Sequence, residues 1–299
     1  MLNVKPLAFD SFGVRSMATF VETDDIAVLI DPGVSLAPSR YSLPPHPVEE
    51  QRMRETWADI KEHASRSDVL VVTHYHYDHY DPEEPEIYEG KIVYLKHPKE
   101  LINKSQEKRA SYFFDKLKGI PKSMDIADGK EFKHGSTRIK FSPPVYHGTN
   151  SKLGYVVEVC ISCGDEKVVF TSDVEGPSVD AQIEFIIQEN PDLVILDGPM
   201  TYMLGFRYSR KSLALAIENM NRIIKETSAK YILIEHHFMR DLKFKERIAE
   251  VYECAVEKGV KALSAAEYLG RDVEMLEARR KELYASNQKQ KKTDNFIKQ

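Results

Sequence analysis

Short apolar runs separated by polar turns open the chain. Residues 4–9, 18–21 and 26–30 form three such runs, which is typical of antiparallel strands. The proline-rich stretch 34–48 excludes regular structure, because proline fixes φ and lacks an N–H group. Helical spacing of Met53, Trp57 and Ile60 then predicts a helix over residues 48–65, and the continuous apolar run after it predicts a strand buried on both faces.

Strands and helices alternate through the rest of the chain. This order predicts an α/β protein, an αββα sandwich of two mixed β-sheets packed face to face and flanked by helices. We predict strands at 69–73, 91–95, 193–196 and 231–234, a hairpin within 154–173, and helices at 98–119, 178–189, 211–227, 241–258 and 265–285.

Length and composition indicate the domain organisation and exclude several classes of protein. The 299 residues fit one domain over 1–270, followed by a C-terminal helix and a basic tail over 271–299. A net charge of −5, with 30% charged residues, does not suit a general polyanion binder. No apolar run is long enough to span a membrane and no signal peptide is evident, so we expect a cytoplasmic protein. Three cysteines form no disulfide framework, and the pair Cys160 and Cys163 is interpreted as two incidental thiols in a hairpin.

The segment Thr73–His79 carries the strongest chemical signal. It places three imidazoles and one carboxylate within six residues, directly after a buried strand. Imidazole nitrogen and carboxylate oxygen are preferred ligands of zinc and related metals. A strand that ends in a loop can direct His74 and His76 to one point and Asp78 and His79 to a second. The pattern therefore predicts a dinuclear metal site.

The HxHxDH pattern resembles the metallo-β-lactamase superfamily, whose five motifs each follow a strand. The nearest likeness is to an archaeal branch of predicted metal-dependent hydrolases, and it implies a fold and a site without a substrate. The five motifs match, in order, Asp31, residues 74–79, His147, Asp173 and the histidine pair His236 and His237.

The resemblance implies a ligand set. His74, His76 and His147 would hold one metal, Asp78, His79 and a histidine of the fifth motif would hold the other, and Asp173 would bridge them. We favour His236 in the fifth motif and keep His237 as the alternative, expecting the two side chains to point in opposite directions. Asp78 and Asp173 are the carboxylates expected to take part in catalysis.

The same ligands bind zinc, manganese or iron. Two divalent ions about 3.5–4 Å apart need an anionic bridging ligand, and they share a water whose pKa falls toward neutrality. The resulting hydroxide would be the nucleophile. Redox members of the superfamily carry glutamate in place of the second histidine of the motif, so His76 favours hydrolysis with two divalent ions, zinc first.

Residues around the ligands suggest supporting roles. Asp31 would hold an imidazole or the loop backbone, unless it forms a plain Asp-Pro-Gly turn. The loop after strand 193–196 carries Asp197, Tyr202, Arg207 and Arg210, a candidate substrate clamp because arginine binds phosphate through two hydrogen bonds. Arg240 could join this clamp, while the alternative for each arginine is a solvated surface charge.

The leading hypothesis is a metal-dependent hydrolase acting on a phosphodiester or phosphate ester, with a small-molecule or phosphodiester substrate. A lactonase or other carboxylic-ester hydrolase with the same site is the runner-up. A nucleic-acid-processing or binding factor is a third hypothesis, supported only by the basic residues between Arg279 and Gln299. The oligomeric state stays open, and no membrane partner is expected.

Overall fold

The computed structural model describes residues 1–286, which fold into two facing β-sheets with helices on both outer surfaces. The first sheet holds six strands in spatial order of their numbers. These are β1 (Asn3–Phe9), β2 (Met17–Glu22), β3 (Ala27–Ile30), β4 (Val69–Val72), β5 (Ile92–Leu95) and β6 (Ser123–Ile126).

The second sheet holds seven strands, and a two-stranded hairpin lies beside it. The hairpin consists of β9 (Val145–Tyr146) and β10 (Tyr155–Val156). The sheet consists of β7 (Glu131–His134), β8 (Thr137–Phe141), β11 (Val159–Cys163), β12 (Glu166–Phe170), β13 (Leu193–Asp197), β14 (Tyr231–Glu235) and β15 (Lys261–Leu263), in the order β15-β14-β13-β12-β11-β8-β7.

Both sheets are mixed in the same way. In the first, β1, β2 and β3 pair antiparallel, whereas β3, β4, β5 and β6 pair parallel. In the second, β7, β8, β11 and β12 pair antiparallel, whereas β12, β13, β14 and β15 pair parallel. Parallel strands need crossover connections, and here most of these are helical. The predicted αββα sandwich is confirmed.

Three apolar cores separate the layers. The middle core lies between the sheets and includes Ile30, Val71, Phe141 and Phe170. A second core joins the outer face of the first sheet to α1 (Pro47–Arg66) and α2 (Lys104–Lys116). The third joins the second sheet to α3 (Ala181–Glu189), α4 (Arg210–Glu226) and α6 (Ala249–Lys258), which follows the short α5 (Phe244–Arg247). The central strands β3, β4, β5, β12, β13 and β14 are therefore covered on two faces, as their apolar runs indicate, whereas the edge strands β6, β7 and β15 are more exposed.

Three predicted helices differ from the observed ones. The helix expected over 98–119 begins only at α2, where the Asn103 side chain accepts a hydrogen bond from the Gln106 N–H and caps the helix. The helix expected over 241–258 is divided into α5 and α6 at Ile248, whose side chain is buried. The helix expected over 265–285 ends early as α7 (Ala265–Tyr268), before Gly270 at φ +66°, and helical structure resumes at residue 280.

The C-terminal segment only partly matches its description as a basic tail. Arg280 is fully buried and ion-paired with Glu49, so it is not a solvated charge. Residues 287–299, which carry most of the tail's lysines, lie outside the described residues, and the domain boundary at 270 stays a prediction. Within residues 1–286, no helix combines the length and apolar character needed to cross a bilayer.

Candidate metal centre

The predicted ligands meet at one edge of the sandwich, where several strands of both sheets end. His74, His76, Asp78 and His79 follow β4, Asp173 follows β12, and His236 follows β14. The β9 strand carries His147 to the same edge. Most of these side chains are buried, although His76 and Asp78 keep part of their surface exposed. Residues from across the chain thus converge at a single location.

Asp173 lies at the centre of this cluster. Its Oδ2 is 2.8 Å from His147 Nε2, 3.4 Å from His74 Nε2 and 3.6 Å from His76 Nδ1. Its Oδ1 lies 3.3 Å from His236 Nε2. The two carboxylate oxygens therefore face different groups of histidines.

Within residues 1–286, the side chains form four overlapping groups with the spacing of metal ligands, and within each group the ligand atoms lie within 4.8 Å of one another. One group contains His74, His76, His147 and Asp173, and a second contains Asp78, His79 and His236. The other two are Asp31 with His74 and His79, and Asp173 with His236 and His237. Among the described residues, His74 Nε2, His79 Nε2 and Asp173 Oδ1 are buried without a hydrogen-bond partner. Leaving such atoms unpaired costs free energy, so the arrangement fits two bound cations.

Asp31 fixes the orientation of His79. Its Oδ2 is 2.8 Å from His79 Nδ1, which leaves Nε2 of that ring directed toward Asp173. Asp31 also accepts hydrogen bonds from the N–H and the hydroxyl of Thr73, at 2.8 and 2.7 Å. Asp31 was expected to hold an imidazole or the loop backbone, and in this geometry it contacts both.

The turn after Asp31 requires glycine at position 33. A Cβ atom there would lie 2.1 Å from the backbone nitrogen of Tyr80, far inside van der Waals contact. The Asp31-Pro32-Gly33 turn can therefore press against the backbone that carries His79. Pro32 and Gly33 serve this close approach in addition to the turn itself.

Asp10 fixes the ring orientation of His236, as Asp31 does for His79. Its Oδ2 is 2.8 Å from His236 Nδ1, and its Oδ1 accepts a 2.7 Å hydrogen bond from Arg240 Nε. Arg240 is buried, so it belongs to this ion pair and not to the surface clamp expected from the sequence. Nε2 of His236 is left facing Asp78 at 3.7 Å and Asp173 at 3.3 Å.

His236 and His237 do not point in opposite directions, contrary to expectation. His236 adopts φ +56°, which ends the extended strand and turns both rings toward the cluster. The Nδ1 atom of His237 lies 3.1 Å from Asp173 Oδ1 and 3.0 Å from Asp197 Oδ2. This nitrogen is hydrogen-bonded to Asp197, whereas Nε2 of His236 lies 3.3 Å from Asp173 Oδ1 and 3.7 Å from Asp78 Oδ2.

Left-handed backbone conformations concentrate at this edge of the sheets. Asp31, Ser172, Glu175 and His236 all have φ between 50° and 60°. Non-glycine residues pay a conformational cost there, and such residues persist where the surrounding structure holds them. These left-handed residues turn the backbone at the strand ends, so that the neighbouring side chains point toward the cluster.

The electrostatics keep the central carboxylates ionised. Burial opposes ionisation of Asp173, but the neighbouring His147, His237 and His236 bring its pKa well below the usual value. Burial likewise opposes ionisation of Asp78, and His79 and His236 outweigh it to lower the pKa of that group. Burial and the adjacent His79 lower the pKa of His74 well below its ordinary value. Burial opposes protonation of His147 and His236 as well, but Asp173 raises the pKa of both imidazoles above the ordinary value. Metal binding needs neutral imidazoles, so ions bound at these two ligands would have to displace protons.

A family model described as the beta-lactamase superfamily domain matches residues 27–237. The chain belongs to the metallo-β-lactamase superfamily. Curated relatives carry the designation UPF0282 protein: one from Korarchaeum cryptofilum is 52% identical over 284 residues, covering 95% of this chain and 94% of the relative. Another from Metallosphaera sedula is 46% identical over 290 residues, covering 96% and 94%.

Two solved structures share the superfamily fold at low sequence identity. An isothiocyanate hydrolase from Delia radicum gut bacteria has a TM-score of 0.54 and 17% identity, with 88% of this chain and 95% of that chain covered. The diiron β-hydroxylase CmlA from Streptomyces venezuelae has a TM-score of 0.50 and 12% identity, with 83% and 51% covered. These likenesses establish the fold of this superfamily member.

The predicted substrate clamp is divided between two pockets. Arg207 lines a cavity of about 570 Å³ together with His147 and Glu175, and we call this the active-site pocket. Tyr202 and Arg210 line a different cavity of about 560 Å³, which we call the basic pocket. The loop 199–208 passes between the two.

Asp197 is not part of a clamp. It is fully buried and accepts hydrogen bonds from the backbone N–H groups of Glu175 and His237, at 2.6 and 3.1 Å. Tyr75 and Tyr80 are likewise buried and pack edge-on against each other in the core between the first sheet and the helices α1 and α2. These residues hold the site loops in place and do not line the active-site pocket.

Two residues of the site were missed by sequence reasoning. Asp10 directly follows the apolar end of β1, just as Asp31 follows β3, so the same signal could have identified it. Glu175 lies 3.9 Å from both His147 Nδ1 and His237 Nε2 and lines the active-site pocket. No sequence pattern marks Glu175, because its position depends on the left-handed turn after β12.

Proposed function

We propose that this protein is a dinuclear metal-dependent hydrolase that cleaves a phosphodiester or another phosphate ester. The observation that carries the proposal is the position of Asp173, with Oδ2 at 2.8 Å from His147 and Oδ1 at 3.3 Å from His236. Two divalent ions bound on either side would lower the pKa of a shared water and polarise the bond under attack.

The ligand assignment follows from which nitrogens face the carboxylates of Asp173 and Asp78. His74, His76 and His147 would hold one ion, Asp78, His79 and His236 the other, and Asp173 both. His236 is preferred to His237, because Nε2 of His236 lies near both Asp78 and Asp173. The nitrogen of His237 that lies near Asp173 is Nδ1, which is hydrogen-bonded to Asp197 at 3.0 Å. Nitrogen and oxygen ligands of this kind suit zinc, with manganese and iron as alternatives.

The chain's own residues prepare the site for an anionic substrate. Asp31 and Asp10 fix the ring orientations of His79 and His236, so the ligand geometry is set before substrate arrives. Arg207 and Lys152 line the active-site pocket beside His147 and could bind the non-bridging oxygens of a phosphate group. These two cations support a phosphate ester as substrate.

A carboxylic ester or lactone is the second candidate. Leu153, Met200 and Phe206 also line the active-site pocket, and Phe206 is 81% exposed at its edge. An apolar wall of this kind would accept the hydrocarbon part of a lactone. The likeness to the isothiocyanate hydrolase shows the fold alone and does not decide between the two substrate classes.

A substrate screen tests the proposal directly. Full-length protein purified without chelator should hydrolyse bis(p-nitrophenyl) phosphate faster than p-nitrophenyl phosphate or simple lactones. Asp173→Ala should abolish that activity, whereas Asp165→Ala, in the exposed turn between β11 and β12, should leave it intact. Circular dichroism would establish that both variants are folded. Turnover of lactones without cleavage of any phosphodiester would favour the second candidate.

A further inference from the structure

The basic pocket collects positive charge on the far side of the 199–208 loop from the active-site pocket. Its lining includes Arg40, Arg210, Arg240, Lys243 and Arg247, with Asp241 the one carboxylate among the described lining residues. The protein as a whole carries a net charge of −5, so this concentration of cations is local. Charge of one sign in a cleft attracts ligands of the opposite sign.

Some of these cations are already neutralised. Arg240 is paired with Asp10 at 2.7 Å, and Arg247 is paired with Asp241 at 3.0 Å. Arg210 and Lys243 form no ion pair within residues 1–286. Two full positive charges therefore remain available to a ligand.

The side chain of Arg40 is held in one position in the same pocket by its neighbours. Its guanidinium carbon lies 4.7 Å from the centre of the Tyr41 ring and 4.6 Å from that of Tyr202, and one Nη atom donates to the Arg240 carbonyl at 3.1 Å. Its Nε forms a long ion pair with Glu277 at 3.9 Å and is buried without a hydrogen-bond acceptor in the described part of the chain. An arginine fixed between two aromatic rings loses little conformational freedom when it binds an anion.

Two further donors surround this arginine. The hydroxyl of Thr201, a pocket-lining residue only 1% exposed, is buried without a partner among residues 1–286. Arg210 opens α4, a 17-residue helix whose positive dipole end favours anions. Left-handed backbone at Tyr41 and Ser42, with φ of 56° and 61°, fixes the loop that carries Arg40.

We propose that the basic pocket binds a phosphate-type oxyanion, through Arg40, Arg210 and Lys243, at a site separate from the metal centre. The anion can be a second phosphate group carried by the substrate or a free phosphate that binds independently. Only the first alternative rests on the proposed phosphodiesterase activity. Binding of the anion itself is independent of any catalysis.

Pyrophosphate titrated calorimetrically into the full-length protein tests the site. Arg210→Gln, on the exposed first turn of α4, should weaken binding about tenfold, the effect of losing one strong charge-assisted hydrogen bond. Lys211→Gln removes the same charge one residue away, outside the pocket lining, and should change the affinity less than twofold. Arg40→Gln should weaken binding at least as much as Arg210→Gln.

Asp173→Ala should retain the pyrophosphate site, because the basic pocket does not include the metal ligands. Equal effects of Arg210→Gln and Lys211→Gln would overturn the proposal, since general charge would then explain them. Loss of the site in Asp173→Ala alone would also overturn it and assign the anion to the metal centre. Arg210 is exposed, so its variant is expected to fold even if Arg40→Gln does not.

Kinetics distinguish the two sources of the anion. If the substrate supplies it, Arg210→Gln raises KM for a phosphodiester that carries a second phosphate and leaves KM for bis(p-nitrophenyl) phosphate unchanged. If the anion is free phosphate, added orthophosphate should change the reaction rate of the wild-type protein. It should not change the reaction rate of Arg210→Gln, which lacks one of the anion ligands. Absence of phosphodiester cleavage would refute the proposed function and leave the calorimetric result standing.

Discussion

The guanidinium of Arg280 forms two hydrogen bonds with the carboxylate of Glu49, each 2.8 Å long, and both side chains are completely buried. Arg280 also donates to the backbone carbonyls of Ala37 and Leu43, each at 3.0 Å. It therefore joins the C-terminal segment to the start of α1 and to the proline-rich stretch before it. This contact fixes the loop that carries Arg40 into the basic pocket.

Arg280→Ala is expected to lower the free energy of unfolding by about 3–5 kcal/mol, because it leaves the buried Glu49 carboxylate without its partner. Chemical denaturation followed by circular dichroism measures the change. Arg279→Ala is the matched control: Arg279 is 48% exposed and pairs with Glu282 on the surface, so its loss should cost less than about 1 kcal/mol. Similar losses in both variants would contradict a special role for the buried pair.

The two adjacent histidines should differ in metal content. Protein purified without chelator is expected to contain nearly two metal ions per chain by elemental analysis. His236→Ala should lose about one of them, because it removes the Nε2 atom that faces Asp78 and Asp173. His237→Ala should retain both, because its Nδ1 is engaged by Asp197. The reverse pattern would make His237 the ligand, and one ion or fewer in the wild type would exclude a dinuclear site.

Arg207→Ala should weaken phosphodiester binding. Arg207 lines the pocket that contains His147, so its loss should raise KM about tenfold with little change in kcat, as expected for an interaction present before the transition state. Steady-state kinetics on bis(p-nitrophenyl) phosphate provides the measurement. Metal content should stay constant, and Lys225→Ala, at an exposed position of α4 outside the pocket lining, is the control. A large fall in kcat at constant KM would contradict a binding role.

Glu158 should make stability depend on pH. Its side chain is fully buried, both carboxylate oxygens are unpaired within residues 1–286, and burial raises its pKa well above the usual value. The folded protein therefore keeps Glu158 protonated where the unfolded chain, with a pKa of about 4.3, has released the proton. Glu158 therefore does not lower the free energy of unfolding below about pH 4.3. As the pH rises from there toward the folded-state pKa, the free energy of unfolding falls by up to about 1.4 kcal/mol per pH unit.

Glu158→Gln removes this titration. The variant should be more stable than the wild type at pH 7, and the difference should shrink as the pH falls toward 4, as measured by thermal unfolding across that range. Glu184→Gln, at an exposed position of α3, is the control and should track the wild type at every pH. A constant difference between Glu158→Gln and wild type would show that Glu158 does not titrate in this way.

The architecture and the convergence of the candidate ligands at one sheet edge could be predicted from the sequence, because both depend on local patterns. Apolar runs locate the strands, and ligands that directly follow a strand, such as His74 and Asp173, are carried to the sheet edge by chain geometry alone. Asp31 was predicted to support an imidazole for the same reason, and it contacts His79 at 2.8 Å. Asp10 obeys the same rule and was overlooked.

The division of the clamp could not be predicted. Arg207 and Arg210 are three residues apart, yet they line different pockets because the chain turns at Gly205, with φ +83°, between Leu204 and Tyr208. The burial of Arg280 was equally hidden, since its partner Glu49 lies 231 residues earlier. Relations of this kind depend on tertiary packing and leave no periodic trace in the sequence.

The candidate metal centre lies where the two sheets meet. His74, Asp78 and His79 follow a strand of the first sheet, whereas Asp173 and His236 follow strands of the second. Ions bound there would link two halves of the sandwich that are joined mainly by apolar packing, together with hydrogen bonds such as that between Thr73 and Ser172. The free energy of metal binding would then add to the free energy of unfolding. The temperature at which the protein unfolds would therefore depend on the concentration of metal in the cell.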